Sequence, residues 1–239
     1  MRKISVVIPA FNESASIGLL VKSLLLTADQ RLAEIIVVDG GSIDDTLQRA
    51  EDAGALAVLS PKKGRAAQMN YGAQLASGTD LYFVHADVKI HPDWISDIYE
   101  AFDQGYDLGC YRYVFDGGPW LLKINAFFTR FDRIWCRGGD QTLFISKHHF
   151  EQLNGFDENH HIMEDYDIIL RARKTLRFKI IPKNITVSSR KYSTNGYFKV
   201  LRANSTVMRG YLKGGDTAEL AATYKRLLNN AYINESKKQ

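Results

Sequence analysis

Apolar runs and segments of helical periodicity alternate along the first half of the chain. The continuous apolar runs, which predict buried strands, are ISVVIPA, EIIVVDG, ALAVLS and LYFVHAD. The segments with helical spacing are ASIGLLVKSLLLTA, SIDDTLQRAEDAG, RAAQMNYGAQLASG and PDWISDIYEAFDQG. Strands that are apolar throughout and alternate with helices are typical of a parallel sheet covered on both faces. We therefore expect an α/β fold with a mostly parallel sheet.

The second half of the chain is less regular. Further strands are predicted by DLGCYRYVF, GDQTLFIS, FKIIP and ITVSS, and a helix is predicted by MEDYDIILRARK. A helical tail is expected from about Gly196 to Tyr232. Because the sequence shows neither an internal repeat nor a linker, we expect one domain with two lobes.

Polar residues follow three of the predicted strands. The first strand ends at Pro9–Glu13, the second at Asp39–Ser42 and the fourth at His85–Asp87. In parallel sheets, ligands bind at the carboxyl ends of the strands, so these residues are expected to share one crevice. The alternative is that each is an ordinary polar strand terminus.

Composition and charge narrow the classes of ligand. The chain has 239 residues, is 45% hydrophobic and carries a net charge of +4, with a pI of about 8.9. This mild basicity suits an anionic ligand or an anionic membrane surface and is too weak to indicate nucleic acid. Cys110 and Cys136 form no CxxC pair, which argues against a zinc ribbon and fits a reducing compartment. No apolar run is long enough for a signal peptide or a membrane span, so we expect a cytoplasmic protein.

The segment after the second predicted strand suggests an anion site. Glycines 40 and 41 allow close approach of a ligand, and the following helix directs its N-terminus at the crevice. Ser42 and Asp45 match a capping box for that helix. Asp39 could accept hydrogen bonds from a ribose or a base, and Arg65, at the start of the next helix, could neutralise phosphates.

Two acidic motifs suggest a metal-binding site and a catalytic general base. Mg²⁺ is held by one or two carboxylates together with substrate phosphates, so Asp87 is sufficient when the ligand carries a diphosphate. His85 could join and would suit Mn²⁺ better, although a lone histidine is more often structural. Glu164 and Asp165 open a helix, where an acid either stabilises the helix dipole or acts as a general base. Arg190 either clamps a diphosphate or belongs to a basic surface turn.

Taken in order, these segments resemble the family 2 glycosyltransferases of the GT-A type. The resemblance runs from Ile4 to about Arg190 and rests on ISVVIPAFNES, IIVVDGGSIDDT, KGRAAQMNYGAQLASGTDLYFVHAD, GGDQTLFIS and MEDYDIILRAR. It is strongest to small soluble members that carry an HAD triplet and are described only as generic transferases. It implies a Rossmann-like GT-A sheet with an acceptor lobe and C-terminal helices. The halves would be about 1–110 for the nucleotide and 111–195 for the acceptor, followed by a tail over 196–239.

The resemblance also implies roles for individual residues. Asp165 would be the catalytic base, and Asp87 with His85 would bind Mn²⁺ or Mg²⁺. His85 departs from the family pattern, because it stands where the first aspartate of the D-x-D motif is usual. Arg190 would bind the diphosphate. The nucleotide pocket would be lined by Pro9, Phe11, Asn12, Glu13, Asp39 and Arg65, and the acceptor or sugar would be contacted by Asp140, Gln141 and Glu164.

The implied function is an inverting, metal-assisted transfer of a sugar from a nucleotide sugar, with a UDP-sugar favoured, to the hydroxyl of an unknown acceptor. A nucleotidyltransferase would carry a Gly-rich, Lys-containing loop after the first strand, where PAFNES stands instead. A nucleotide-sugar sensor or a decayed transferase remains an alternative function, and a homodimer remains an alternative to a monomer.

The aromatic and basic segment 120–135 suits a peripheral membrane contact with a lipid-linked acceptor, but a helix packed in the acceptor lobe is favoured.

Overall fold

A computed structural model of the chain describes residues 2–137 and 141–228. These residues form eight strands: β1 (Ile4–Ala10), β2 (Leu32–Asp39), β3 (Leu56–Leu59), β4 (Asp80–Phe83), β5 (Val88–Lys89), β6 (Leu108–Phe115), β7 (Leu143–Ser146) and β8 (Phe178–Val187). They also form ten α-helices: α1 (Ile17–Leu26), α2 (Thr46–Asp52), α3 (Arg65–Leu75), α4 (Trp94–Asp103), α5 (Leu121–Phe128), α6 (Lys147–Gln152), α7 (Glu164–Ala172), α8 (Arg190–Asn195), α9 (Tyr197–Leu212) and α10 (Thr217–Leu227). A short 3₁₀ helix spans Ile134–Cys136.

The strands form a single sheet in the order β3-β2-β1-β4-β7-β6-β8-β5. β1 pairs in parallel with β2 and β4, β2 with β3, and β6 with β8. β7 is antiparallel to both β4 and β6, and β5 is antiparallel to β8. The expected α/β fold with a mostly parallel sheet is therefore confirmed. The segments FKIIP and ITVSS, predicted as two strands, are covered by the single strand β8, whose pairing with β6 shifts register once.

Helices cover both faces of the sheet. Alternate side chains of β1 therefore belong to two different hydrophobic cores, one on each face. Val6 belongs to the core that includes Val21 of α1 and Ile98 of α4, whereas Val7 belongs to the core that includes Met69 of α3 and Ile168 of α7. Successive side chains of a strand point to opposite faces, and a strand buried on both faces must be apolar throughout. This is the physical reason that β1 reads ISVVIPA.

One local prediction needs correction. The helix predicted after Ser42 begins at Thr46, and its N-cap residue Asp45 makes no side-chain capping bond, so the capping box is wrong. In the segment expected to pack in the acceptor lobe, α5 buries Leu122 and leaves its other residues partly or fully exposed. In the described part of the chain, no helix combines the length and hydropathy that crossing a bilayer would require.

Candidate active site

The loop after β2 is organised by the carboxylate of Asp39. Asp39 is buried, and its Oδ1 accepts the backbone N–H groups of Gly41 and Ser42 at 2.8 and 2.7 Å. Gly41 has a φ of +92°, a conformation that a side chain would strain. Asp39 therefore holds the Gly-Gly-Ser loop in a fixed shape at the carboxyl end of the sheet.

The end of β1 is locked to the same loop. The backbone N–H of Asn12 donates to Ser42 Oγ at 2.8 Å, and Asn12 Oδ1 accepts the N–H of Ile43 at 3.0 Å. The N–H of Glu13 donates to Thr46 Oγ1 at 2.8 Å. The hydroxyl of Ser42 thus joins two strand ends instead of capping its own helix. Of the other residues predicted nearby, Pro9 is buried in β1 and Phe11 is partly exposed.

The end of β4 meets the start of α7. His85 follows β4, and its Nε2 lies 4.0 Å from Oδ2 of Asp165, with both side chains largely shielded from solvent. This distance exceeds that of a hydrogen bond but allows strong electrostatic coupling if the imidazole is protonated. Asp87 lies in the turn that leads into β5 and is partly buried. The structure therefore places His85 of the HAD triplet beside Asp165 of α7.

Glu164, beside Asp165, is held by a cation. Its side chain is nearly fully buried, and its Oε1 accepts a hydrogen bond from Nε of Arg65. Arg65 is the first residue of α3, and Gly64 before it has a φ of +114°. The ion pair therefore holds the side chain of Glu164 against the start of α3.

A second ion pair crosses from the first half of the chain to the second. The Nη2 of Arg190 donates to Oε1 of Glu13 at 2.8 Å, although the two residues are 177 positions apart. Ser16 Oγ donates to the other oxygen of Glu13 at 2.9 Å. Arg190 begins α8, directly after β8. The arginine predicted to bind a diphosphate therefore lies beside the end of β1.

These two ion pairs were not predicted. Arg65, Glu164, Glu13 and Arg190 were each assigned to a ligand, and the sequence gives no register between residues so far apart. In the sequence, the only indication of these ion pairs is that residues of opposite charge lie on segments expected at the same edge of the sheet. Such a signal is shared by many surface charges and does not select a partner.

The remaining predicted residues lie on the segment before β7. Gln141 is buried, and its Nε2 donates to the backbone O of Tyr111 in β6 at 3.1 Å. Its Oε1 is buried without a hydrogen-bond partner among the described residues. Asp140 lies outside the described residues. The hydrogen bond to Tyr111 thus joins Gln141 to β6.

The donor set for a cation at this edge is small. Within residues 2–137 and 141–228, no group of three His, Cys, Asp or Glu side chains is placed to hold a metal ion on its own. Two surface cavities, of about 270 and 360 Å³, lie elsewhere, one against α1 and α2 and one against α3 and α6. Neither is lined by His85, Asp87 or Asp165.

The sequence is similar to one protein family and to individual proteins over the segments described above. The sequence profile of the family Glycosyl transferase family 2 matches residues 5–171. Undecaprenyl-phosphate 4-deoxy-4-formamido-L-arabinose transferase of Aeromonas hydrophila is 32% identical over 117 residues, which cover 45% of this chain and 36% of that protein. Glucosyl-3-phosphoglycerate synthase of Mycobacterium tuberculosis is 37% identical over 102 residues, covering 38% of this chain and 31% of that protein. The chain therefore spans about a third of the length of these relatives.

Solved structures share the fold over most of the chain. The M. tuberculosis glucosyl-3-phosphoglycerate synthase, in complex with Mn²⁺, UDP-glucose and phosphoglyceric acid, superposes with a TM-score of 0.65 at 19% identity, covering 96% of this chain and 82% of that one. TarS of S. aureus gives a TM-score of 0.64 at 20% identity over 84% of this chain and 39% of that one. These likenesses show a common glycosyltransferase fold, as the sequence predicted.

Proposed function

The chain belongs to glycosyl transferase family 2, and from that membership we propose that it is an inverting glycosyltransferase, which moves a sugar from a nucleoside diphosphate sugar to an acceptor hydroxyl. The observation that carries this proposal is the 4.0 Å approach of His85 to Asp165. It joins the end of β4 to the start of α7, on the same edge of the sheet as the loop held by Asp39. The reaction type is inferred from family membership, and the residues proposed to act in it are inferred from the approach of His85 to Asp165.

The donor is assigned to the edge formed by β1 and β2. Arg65 and Arg190 place two cations at this edge, beside the loop held by Asp39, which suits the diphosphate of a donor. We favour a uridine nucleotide because the M. tuberculosis structure that shares the fold holds UDP-glucose. On this proposal Arg190 exchanges its contact with Glu13 for oxygens of the diphosphate.

The donor set fits a divalent cation that is shared with the substrate. His85 and Asp87 supply one imidazole and one carboxylate, and a hard cation completes its shell with diphosphate oxygens and waters. The imidazole makes Mn²⁺ a better match than Mg²⁺. When bound, the cation would offset the negative charge that develops on the leaving nucleoside diphosphate.

The base is assigned to Asp165. The side chain of the neighbouring Glu164 is engaged by Arg65, so the role of base is assigned to Asp165 and not to Glu164. The carboxylate of Asp165 is proposed to accept the proton of the acceptor hydroxyl as that oxygen attacks the anomeric carbon. The bond to the diphosphate breaks on the opposite side of the carbon, so a single displacement inverts the configuration.

The state of the two cysteines supports a proposal for the cellular compartment of the protein. Cys110 and Cys136 are both buried and free. Unpaired buried thiols fit a reducing environment, which supports a cytoplasmic enzyme.

The variant Asp165→Asn tests the catalytic role, because an amide cannot accept the proton of the acceptor. We expect sugar transfer to fall by about 100- to 10,000-fold, the usual range for a general base. The rise in melting temperature caused by a nucleoside diphosphate should persist, because donor binding does not need a base. Transfer and hydrolysis of a panel of nucleotide sugars, with and without Mn²⁺, are the measurements.

The matched control is Asp167→Asn, an acid in the same first turn of α7. Asp167 pairs with Arg171 on its own helix at 2.6 Å, so its substitution should leave transfer within a few-fold of the parent. Full turnover by Asp165→Asn would remove the base assignment. A parent protein that binds nucleotide sugars but neither transfers nor hydrolyses any of them would instead be a sensor.

A further inference from the structure

The segment from Trp120 to Trp135 leaves most of its aromatic rings at the surface. In α5, which the structure describes in full, Leu122 is the buried residue. Trp120 is 68% exposed and Trp135 is 58% exposed. Three further rings are also exposed, those of Phe127, Phe128 and Phe131. α5 packs through Leu122, as expected for a helix of the acceptor lobe, but the aromatic rings of the segment are not part of that packing.

Four of the five exposed rings form a contiguous patch, and Trp120 lies at the start of the same segment. The ring centroids of Phe127 and Phe131 are 5.7 Å apart, and those of Phe128 and Trp135 are 5.8 Å apart. The guanidinium of Arg130 lies 4.0 Å from the ring centroid of Phe127. Single exposed apolar residues are ordinary, but a continuous patch marks an interaction site. We call it the aromatic-basic surface, and it consists of Trp120, Lys123, Phe127, Phe128, Arg130, Phe131, Arg133 and Trp135.

The charge of this surface selects an anionic partner. Residues 120–135 contain three cations, Lys123, Arg130 and Arg133, and a single acid, Asp132. All three cations are exposed, whereas the carboxylate of Asp132 is paired with Arg173. The positive charge is therefore not balanced within the segment.

The start of α9 lies beside α5. The hydroxyl of Tyr197 donates to Oδ1 of Asn125 in α5 at 3.0 Å, which holds the two segments together. The next residues, Phe198 and Lys199, are both exposed. A second segment thus adds another exposed ring and another cation beside α5.

We propose that the aromatic-basic surface binds the boundary of an anionic lipid membrane. Tryptophan rings are favoured at the level of the lipid headgroups, and cations near that level are attracted to anionic phosphates. The rings and cations lie on a short exposed helix and on the segment that follows it, and such a mixed surface suits a contact that lies on a bilayer without crossing it. This surface is independent of the proposed transfer reaction, since none of its residues is assigned to the active site.

Tryptophan fluorescence tests the proposal directly. Of the three tryptophans, Trp94 is fully buried and stacks on Tyr82 at 5.3 Å, so Trp120 and Trp135 report contact with lipid. With vesicles of phosphatidylcholine and phosphatidylglycerol we expect a blue shift of the emission and quenching by brominated lipid chains. Vesicles of phosphatidylcholine alone should give much weaker binding. Unchanged emission with the anionic vesicles would overturn the proposal.

Variants assign the binding to the surface. The charge reversal Lys123→Glu and the double variant with Trp120→Ser and Trp135→Ser should weaken co-sedimentation with anionic vesicles. Loss of one cation near the surface is worth about a fivefold loss of binding. The matched control is Leu26→Ser on α1, where an apolar side chain that is 85% exposed lies outside the surface. Circular dichroism checks that each variant is folded.

Two outcomes would overturn the assignment. Vesicle binding that these variants leave unchanged would place the contact elsewhere. A concentration-dependent dimer in sedimentation velocity, dissociated by Phe131→Ser and accompanied by no vesicle binding, would identify the occupant as a second copy of the chain.

Discussion

The carboxylate of Asp39 is almost entirely buried, at 2% exposure, and one of its oxygens accepts the N–H groups of both Gly41 and Ser42. At the residue scale it therefore has a role in the fold that is separate from its proposed role in nucleotide binding. The two roles respond differently to substitution, because an amide oxygen can still accept the two backbone hydrogen bonds, whereas an alanine cannot.

We predict that Asp39→Asn keeps the loop but weakens the nucleotide site, whereas Asp39→Ala damages both. Leaving buried N–H groups unpaired costs about 1–3 kcal/mol, so Asp39→Ala should lower the free energy of unfolding by that amount. Asp39→Asn should change it by less than about 1 kcal/mol, while reducing the affinity for a nucleoside diphosphate. Urea denaturation and calorimetric titration measure the two effects. Equal loss of stability in both variants would contradict the role given to Oδ1.

At the element scale, β1, β2 and the turn between α3 and β4 meet at Glu34. Its carboxylate accepts hydrogen bonds from the hydroxyls of Ser5 and Ser77 and from the N–H of Ser77 at 3.0 Å. Ser5 Oγ also accepts the N–H of Gly78 at 2.8 Å. A Cβ at Gly78 would lie 2.8 Å from the backbone O of Lys3, so this junction needs glycine. Three elements are therefore joined through one carboxylate.

The junction predicts a dependence of stability on pH. Burial alone would raise the pKa of Glu34, but the hydrogen bonds from Ser5 and Ser77 outweigh it and lower that pKa below its ordinary value of 4.5. A carboxyl whose pKa is lower in the folded state stabilises the fold above its unfolded pKa, and that contribution is lost as the pH falls. We expect the free energy of unfolding to decrease between about pH 5 and pH 3, and to decrease less in Glu34→Gln. Parallel curves for the two proteins in urea titrations across this range would contradict the assignment.

The elements of the first half could be predicted because their signals are local. The apolar runs of β1 to β4 and the helical spacing of α1 to α4 are properties of short windows of sequence. The placement of β7 between β4 and β6 is not, because it depends on pairing between strands far apart in the chain. The same limit applies to the candidate site, where local motifs suggest roles for Asp39 and Asp165 but do not predict the contacts of Glu164 and Glu13.

The segment around α5 shows a different limit. Helical periodicity predicts that one face is apolar, but it does not say whether another element covers that face. In Trp120–Trp135 the rings stay exposed, and only their contacts in three dimensions separate a core helix from a surface that binds a partner.

At the scale of the whole molecule, three of the contacts that join the first half of the chain to the second lie at the candidate site: two ion pairs and one close approach. They are Arg65 with Glu164, Glu13 with Arg190, and His85 with Asp165. All three lie at the edge of the sheet where the proposed donor binds. A ligand that takes over one of these cations would therefore act on residues from both halves at once.

The pair of Glu13 and Arg190 allows this idea to be measured. The Arg190 side chain is 40% exposed, so solvent screens the pair, and a double-mutant cycle of Glu13→Gln and Arg190→Gln should give a coupling of no more than about 1 kcal/mol in unfolding. Donor binding should respond unequally, because the diphosphate needs the cation and is repelled by the acid. Arg190→Gln should weaken binding of a nucleoside diphosphate clearly more than Glu13→Gln does. The matched control is Arg171→Gln, an arginine whose described partners, Asp167 and the backbone oxygens of Leu153 and Gly155, include no residue assigned to the donor. Unfolding in urea gives the coupling and calorimetric titration gives the affinities. Equal affinities for the Arg190 and Arg171 variants would show that Arg190 only joins the two halves and does not bind the diphosphate.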